Sequence, residues 1–156
     1  MAATLGLRFL AAAGVAVTLH PYDYDPNADA VGLAAAQALG LAPGLVLKTL
    51  MVEVDGKPAC CVIPSDRLLS MKRVAAAFGG KHAAMMAVPK AEKLTGYHVG
   101  GISPFGQKRV VATAMEASVC GVERVWINAG ARGLLLGIDP AQALEVLAAR
   151  AVELLA

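Results

Sequence analysis

Residues 3–13 read as an amphipathic helix that stops at Gly14, and VAVTLH (15–20) switches to the alternation of a short strand before Pro21. PYDYDPNAD (21–29) is a turn-rich loop with two prolines, and Asp29 is placed to cap a helix through VGLAAAQALG that ends at Gly40. LVLKTLMVEV (45–54) and PACCVIP (58–64) read as strands joined by an Asp55-Gly56 hairpin turn. Ser70 caps a helix through MKRVAAAF that stops at Gly79-Gly80. A short strand over AAMMAV (83–88) and a short helix over 89–95 follow. VVATAMEA (110–117), RVWINAG (124–130) and GLLLGI (133–138) read as strands. Asp139-Pro140 opens a last helix through AQALEVLAAR by supplying an N-cap and a first-turn proline. Helices mixed with adjacent strands predict an α+β fold. Its sheet is curved, mixed, mainly antiparallel and partly barrel-like, with flanking helices. No repeat or low-complexity linker divides the chain, so 1–156 reads as a single domain.

Composition narrows the class. Of the 156 residues, 57% are hydrophobic and only 4% aromatic, so the core is built from Leu, Val, Ile and Ala. That hydrophobicity excludes a disordered chain. Cys60, Cys61 and Cys120 are odd in number and two are adjacent, which fits a reducing compartment rather than a disulfide framework. There is no CxxC or HxxxH, and His20, His82 and His98 are scattered, so neither metal nor cofactor is expected. Arg8 followed by FLAAAGVAVTL imitates a signal peptide, but with a single basic residue before it. No apolar run reaches the ~18–20 residues of a membrane span, and a cytoplasmic location is expected.

Charge is unevenly spread. Residues 1–66 carry three basic and six acidic groups, and residues 110–156 three and five. Residues 67–109 carry eight basic groups and one acid, Glu92. Arg67, Lys72, Arg73, Lys81, Lys108 and Arg109 in this stretch suit a phosphate-bearing partner; the competing reading is a solvated face. Aromatic residues nearby are few, which argues against readout by extensive base stacking.

Two features carry candidate chemistry. Lys48 is the only charge between Asp29 and Glu53, and alternation places it on one face with Val46, Leu50 and Val52. Such a lysine either meets an anionic or carbonyl group of a ligand or snorkels from an edge strand. GYHVGGISPFG (96–106) combines four glycines with Pro104. It lacks the GK[ST] of a phosphate loop, and its spacing misses GxSxG by one residue, which makes Ser103 a hydrogen-bonding group rather than a nucleophile. Gly100 and Gly101 can present amides to a carbonyl or carboxylate. Tyr22 and Tyr24 line a pocket or cover the core edge, and Cys60 and Cys61 point to opposite faces as structural residues.

YDYDP, LKTLMVEVDG, LTGYHVGGISPFGQKR and WINAGARGL occur in that order. In these segments, and over about residues 15–150, the chain resembles the YbaK/EbsC family of aminoacyl-tRNA deacylases, relatives of the editing domain of prolyl-tRNA synthetase. The resemblance implies removal of a wrong amino acid, cysteine or alanine, from proline tRNA. It implies aminoacyl-tRNA as partner and prolyl-tRNA synthetase as a second one. By position it makes Lys48 the functional lysine and Tyr22 a pocket tyrosine, with Gly100, Gly101, Ile102, Ser103 and Pro104 as the loop around the aminoacyl carbonyl. In the cysteine-specific branch the substrate's own thiol attacks its carbonyl. One departure bears on which amino acid is removed: Leu135 occupies a position that is usually acidic in the cysteine-specific type, and Asn128 and Ala129 alter the segment before it. The alternative function is a non-catalytic tRNA-binding or synthetase-associated module. A weaker one is a small-molecule ester hydrolase.

Overall fold

The computed structural model describes residues 3–156. Five helices, α1 (Leu5–Ala12), α2 (Val31–Leu39), α3 (Met71–Ala77), α4 (Val88–Thr95) and α5 (Pro140–Leu147), flank eight strands. The strands are β1 (Thr18–Pro21), β2 (Leu47–Val54), β3 (Lys57–Pro64), β4 (Ala83–Met85), β5 (Ala112–Glu116), β6 (Val125–Ala131), β7 (Leu134–Ile138) and β8 (Arg150–Val152). The α+β expectation holds, as does the mixed and mainly antiparallel character. β3–β5 and β5–β8 pair parallel and the remaining ladders antiparallel.

The strands do not close into a barrel. They form a three-stranded sheet in the order β1-β7-β6 and a five-stranded sheet in the order β4-β2-β3-β5-β8. A parallel bridge between Val46 and Trp126 links the two where β2 begins beside β6. The main core fills the space between the sheets, with Leu47, Met51, Val62 and Met115 facing Ile127, Leu136 and Ile138. Alternation sends Val52, Cys61 and Ile63 to the opposite face, where α3 covers them with Val74 and Ala75. Ala35 and Ala36 of α2 pack on Val46 and Leu135, covering the outer face of the smaller sheet.

Several local expectations follow from residue chemistry. Asp55 and Gly56 take φ of 49° and 79°, the positive pair that a two-residue hairpin turn requires. The Ser70 hydroxyl accepts from the Arg73 amide, and the Asp139 carboxylate accepts from the Ala141 amide. Two expectations fail. Ala30, not Asp29, stands at the N-cap of α2, with no side-chain cap at all. The last helix ends at Leu147, because Ala148 turns to φ 49°. Arg150–Val152 then pairs alongside Ala114–Glu116. Pairing with the open edge of β5 outweighs the helix propensity of the alanines.

Candidate functional site

A cavity of about 460 Å³ opens in the seam where the two sheets part. Its floor comes from β2, with Val46, Lys48 and Leu50 on one face. Its walls come from Tyr22 after β1, Asn128 on β6, Leu135 on β7, the start of α2, and Gly100 and Ile102 of the glycine-rich loop. Topology explains the gap. β4 covers only the Val52–Val54 end of β2, and beyond the Val46 bridge nothing completes the ladder next to Lys48.

Lys48 is half-buried and has no ion-pair partner among the described residues. Burial pulls its pKa below the ordinary lysine value, and the charge of Asp66 pushes back. The Tyr22 hydroxyl and the Thr49 Oγ1 are buried without a hydrogen-bond partner. Burial raises the Tyr22 pKa, while a backbone group of Gly133 opposes it without reaching hydrogen-bond geometry. Unpaired buried polar atoms are costly, and two residues that carry them line the same cavity as the unpaired ammonium. Leu68, 72% exposed, and Val99, 45% exposed, form an apolar rim.

The glycine-rich loop is held from behind. Gly100 has φ +89°, and a Cβ there would lie 2.5 Å from the Tyr24 hydroxyl. Gly101 needs its missing side chain for close approach, since a Cβ would lie 2.8 Å from the Arg132 amide nitrogen. Arg132 stacks its guanidinium 5.5 Å from the centre of the Tyr24 ring. Its Nε donates to the Val99 carbonyl at 2.9 Å. Asn128 Nδ2 donates to the Gly100 carbonyl at 3.3 Å, while its Oδ1 accepts from the Gly130 and Ala131 amides. Tyr24 and Arg132 thus clamp the loop, a role that required knowing that β1, the loop and the β6–β7 turn meet.

Of the residues expected from the sequence, Lys48, Tyr22, Gly100 and Ile102 come together on the cavity wall. Gly101, Ser103 and Pro104 lie behind it. The Gly101 amide is already donated to the His98 carbonyl at 2.9 Å. Ser103 is 0% exposed, with its hydroxyl accepting from the Phe105 amide and its carbonyl from Gln107 Nε2. The amides of Gly100 and Ile102 have no partner among the described residues. Sequence reasoning also missed Asp29 as a wall residue, because a capping role seemed to account for it.

The basic residues divide between the faces of the larger sheet. Lys72 and Arg73 ride on α3, on the face Lys48 shares with Leu50 and Val52. Arg67 adjoins the rim residue Leu68. Lys108 and Arg109 dock by their amides on Thr95 and Leu94 of α4, which packs into the core on the other face. Lys81 sits at the hairpin tip, its amide donating to Asp55. That tip is about 23 Å along β2 from Lys48 at ~3.3 Å per residue. Arg73 pairs with Glu153 at 3.5 Å. Cys60 and Cys61 do face opposite cores, and burial pushes both thiols up to about 12. No group of three potential metal ligands occurs among the described residues, and no helix there is long and apolar enough to cross a membrane.

Known proteins match this chain in sequence and in fold. An Enterococcus faecalis protein provisionally named Cys-tRNA(Pro)/Cys-tRNA(Cys) deacylase EbsC is 34% identical over 113 residues, 71% of this chain and 68% of that one. A crystal structure described provisionally as a trans-editing enzyme for prolyl-tRNA synthetase superposes with a TM-score of 0.81 at 20% identity, covering 96% of this chain and 93% of the other. The hypothetical protein APE2540 superposes with a TM-score of 0.83 at 22% identity, covering 96% and 97%. Both likenesses concern the fold. Residues 25–146 match the family described as the aminoacyl-tRNA editing domain, a range that takes in the lysine, the glycine-rich loop and the cavity wall except Tyr22, and the chain belongs to that family.

Proposed function

We propose that the protein is a trans-editing deacylase that removes a mischarged amino acid, cysteine first and alanine second, from proline tRNA. The observation that carries this reading is the half-buried Lys48 ammonium, without a counter-ion, sharing a cavity with Gly100 and Ile102, whose amides lack partners. An aminoacyl ester is already activated. It needs only to be held, with its carbonyl oxygen facing donors that stabilise the developing negative charge. Lys48 and the Gly100 and Ile102 amides supply such donors. Gly101, Ser103 and Pro104 act from behind by fixing the loop.

No protein nucleophile is required for a cysteinyl ester. The substrate's sulfur attacks its own carbonyl carbon, the C–S bond forms and the ester C–O bond breaks. The thiol proton passes to the departing ribose oxygen, and water later opens the resulting thiolactone. For alanine, water attacks instead. Leu135 gives this pocket an apolar wall, which suits a small side chain and does not by itself separate cysteine from alanine. The 34% identity to the EbsC protein, whose name specifies cysteine, supports placing cysteine first.

On this reading Arg67, Lys72 and Arg73 hold acceptor-stem phosphates next to the site, and Lys81, Lys108 and Arg109 reach more distant ones. Lys48→Ala is the direct test. Deacylation falls by about 100- to 1,000-fold, the range seen for loss of one oxyanion donor, while tRNA affinity changes less than about twofold. Equal loss of turnover and tRNA affinity would contradict the role assigned to Lys48.

A further inference from the structure

Among the described residues, one acidic residue lines the cavity. It is Asp29, which is exposed and whose side chain makes no hydrogen bond or ion pair there. It is not spent on the helix beside it, since the N-cap of α2 is Ala30 and no side chain caps it. Every other charged or strongly polar wall group is cationic, engaged or neutral. Lys48 is the only cation on the wall among the described residues. The Ser65 hydroxyl donates to the Val46 carbonyl, and Asn128 is engaged by Gly100, Gly130 and Ala131. The Tyr22 and Thr49 hydroxyls are unpaired, but they are buried and uncharged.

An aminoacyl ester brings two groups into such a cavity: a carbonyl that attracts donors, and an α-amino group that is in part an ammonium near neutral pH. With the carbonyl at Lys48 and Gly100, like-charge repulsion turns the ammonium away from Lys48. Asp29 is the only wall group that answers it with opposite charge. We infer that Asp29 binds the substrate's α-ammonium and so sets which way the amino acid enters. This rests on the deacylase reading and adds a specificity: the site takes a free α-amine and rejects an N-blocked aminoacyl group. The distinction separates elongator aminoacyl ends from N-acylated or peptidyl ones.

The test uses 3′-deoxy-3′-(alanylamino)adenosine, an amide mimic of the aminoacylated tRNA end, and its N-acetyl derivative, titrated by calorimetry. The unmodified protein binds the free amine about 10- to 100-fold more tightly than the acetylated form, as a charge-assisted hydrogen bond implies. Asp29→Asn binds both forms equally, with an unchanged Tm. Glu123→Gln, an exposed acid outside the cavity, keeps the preference. Equal affinity for the two forms in the unmodified protein, a preference that survives in Asp29→Asn, or binding of neither form would overturn the assignment. Turnover is read separately on free-amine aminoacyl-tRNA. A protein that prefers the free amine through Asp29 but deacylates nothing supports the assignment and sinks the deacylase reading.

Discussion

Lys48 must be protonated to act as a cation, in a place that disfavours protonation. Burial lowers its pKa from the ordinary 10.5, and Asp66 restores part of the loss. Enzyme-dependent deacylation, corrected for spontaneous hydrolysis, therefore declines as pH rises through a value below 10.5. Asp66→Asn removes the restoring charge and moves that decline to lower pH. An unchanged pH profile in Asp66→Asn would show that the titrating group is not Lys48. At the loop, Gly100→Ala forces a side chain into the Tyr24 hydroxyl at a φ of +89°. Strain of this kind costs about 1–3 kcal/mol. We expect turnover to fall at least tenfold, with a lowered Tm that Tyr24→Phe does not restore. Lys48 was legible in the sequence because a lone charge inside an apolar strand has few explanations. Asp29 was not, because a helix cap explained it equally well and only the observed N-cap at Ala30 freed it.

Single elements show where local rules hold and where packing overrides them. The β2–β3 hairpin follows from Asp55-Gly56 and from alternation, and both survived folding intact. The chain end did not follow its helix propensity, because β5 offered an open edge and Glu116 offered an acceptor. The Glu116 carboxylate, only 4% exposed, accepts the amides of Ser118 and Leu154 at 2.9 Å each. Burial raises its pKa, but bonds from Ser118 and Leu154 outweigh that and hold it below the ordinary 4.5. A carboxylate depressed in this way stabilises the fold above its unfolded pKa, and the contribution is lost as pH falls through the folded value. Glu116→Gln should cost about 1.5–3 kcal/mol at neutral pH. The gap to the parent should narrow in denaturation at acidic pH, and a gap independent of pH would contradict the charge-assisted account.

Over the whole molecule, function depends on the sheets failing to close. One continuous sheet would have buried Lys48 in a ladder. Two sheets joined only at Val46 and Trp126 leave the seam in which Lys48, Tyr22, Gly100 and Leu135 meet. The sequence carried the strands and the α+β class, but not this division. It depends on a long-range pairing between residues 46 and 126, to which no periodicity points. The same folding separates a basic stretch that is continuous in sequence into groups on two faces. Neutralising Arg67, Lys72 and Arg73 together should therefore weaken tRNA binding and reduce its salt dependence more than neutralising Lys108 and Arg109. Each cation that no longer neutralises a phosphate lowers the slope of log K against log salt by about 0.9. The proposed activity is read directly from deacylation of proline tRNA charged separately with cysteine, alanine, serine and proline, at equal enzyme concentration. A trans-editing deacylase releases cysteine rapidly and alanine more slowly, and spares proline. Release of none of the four above the spontaneous rate would contradict it.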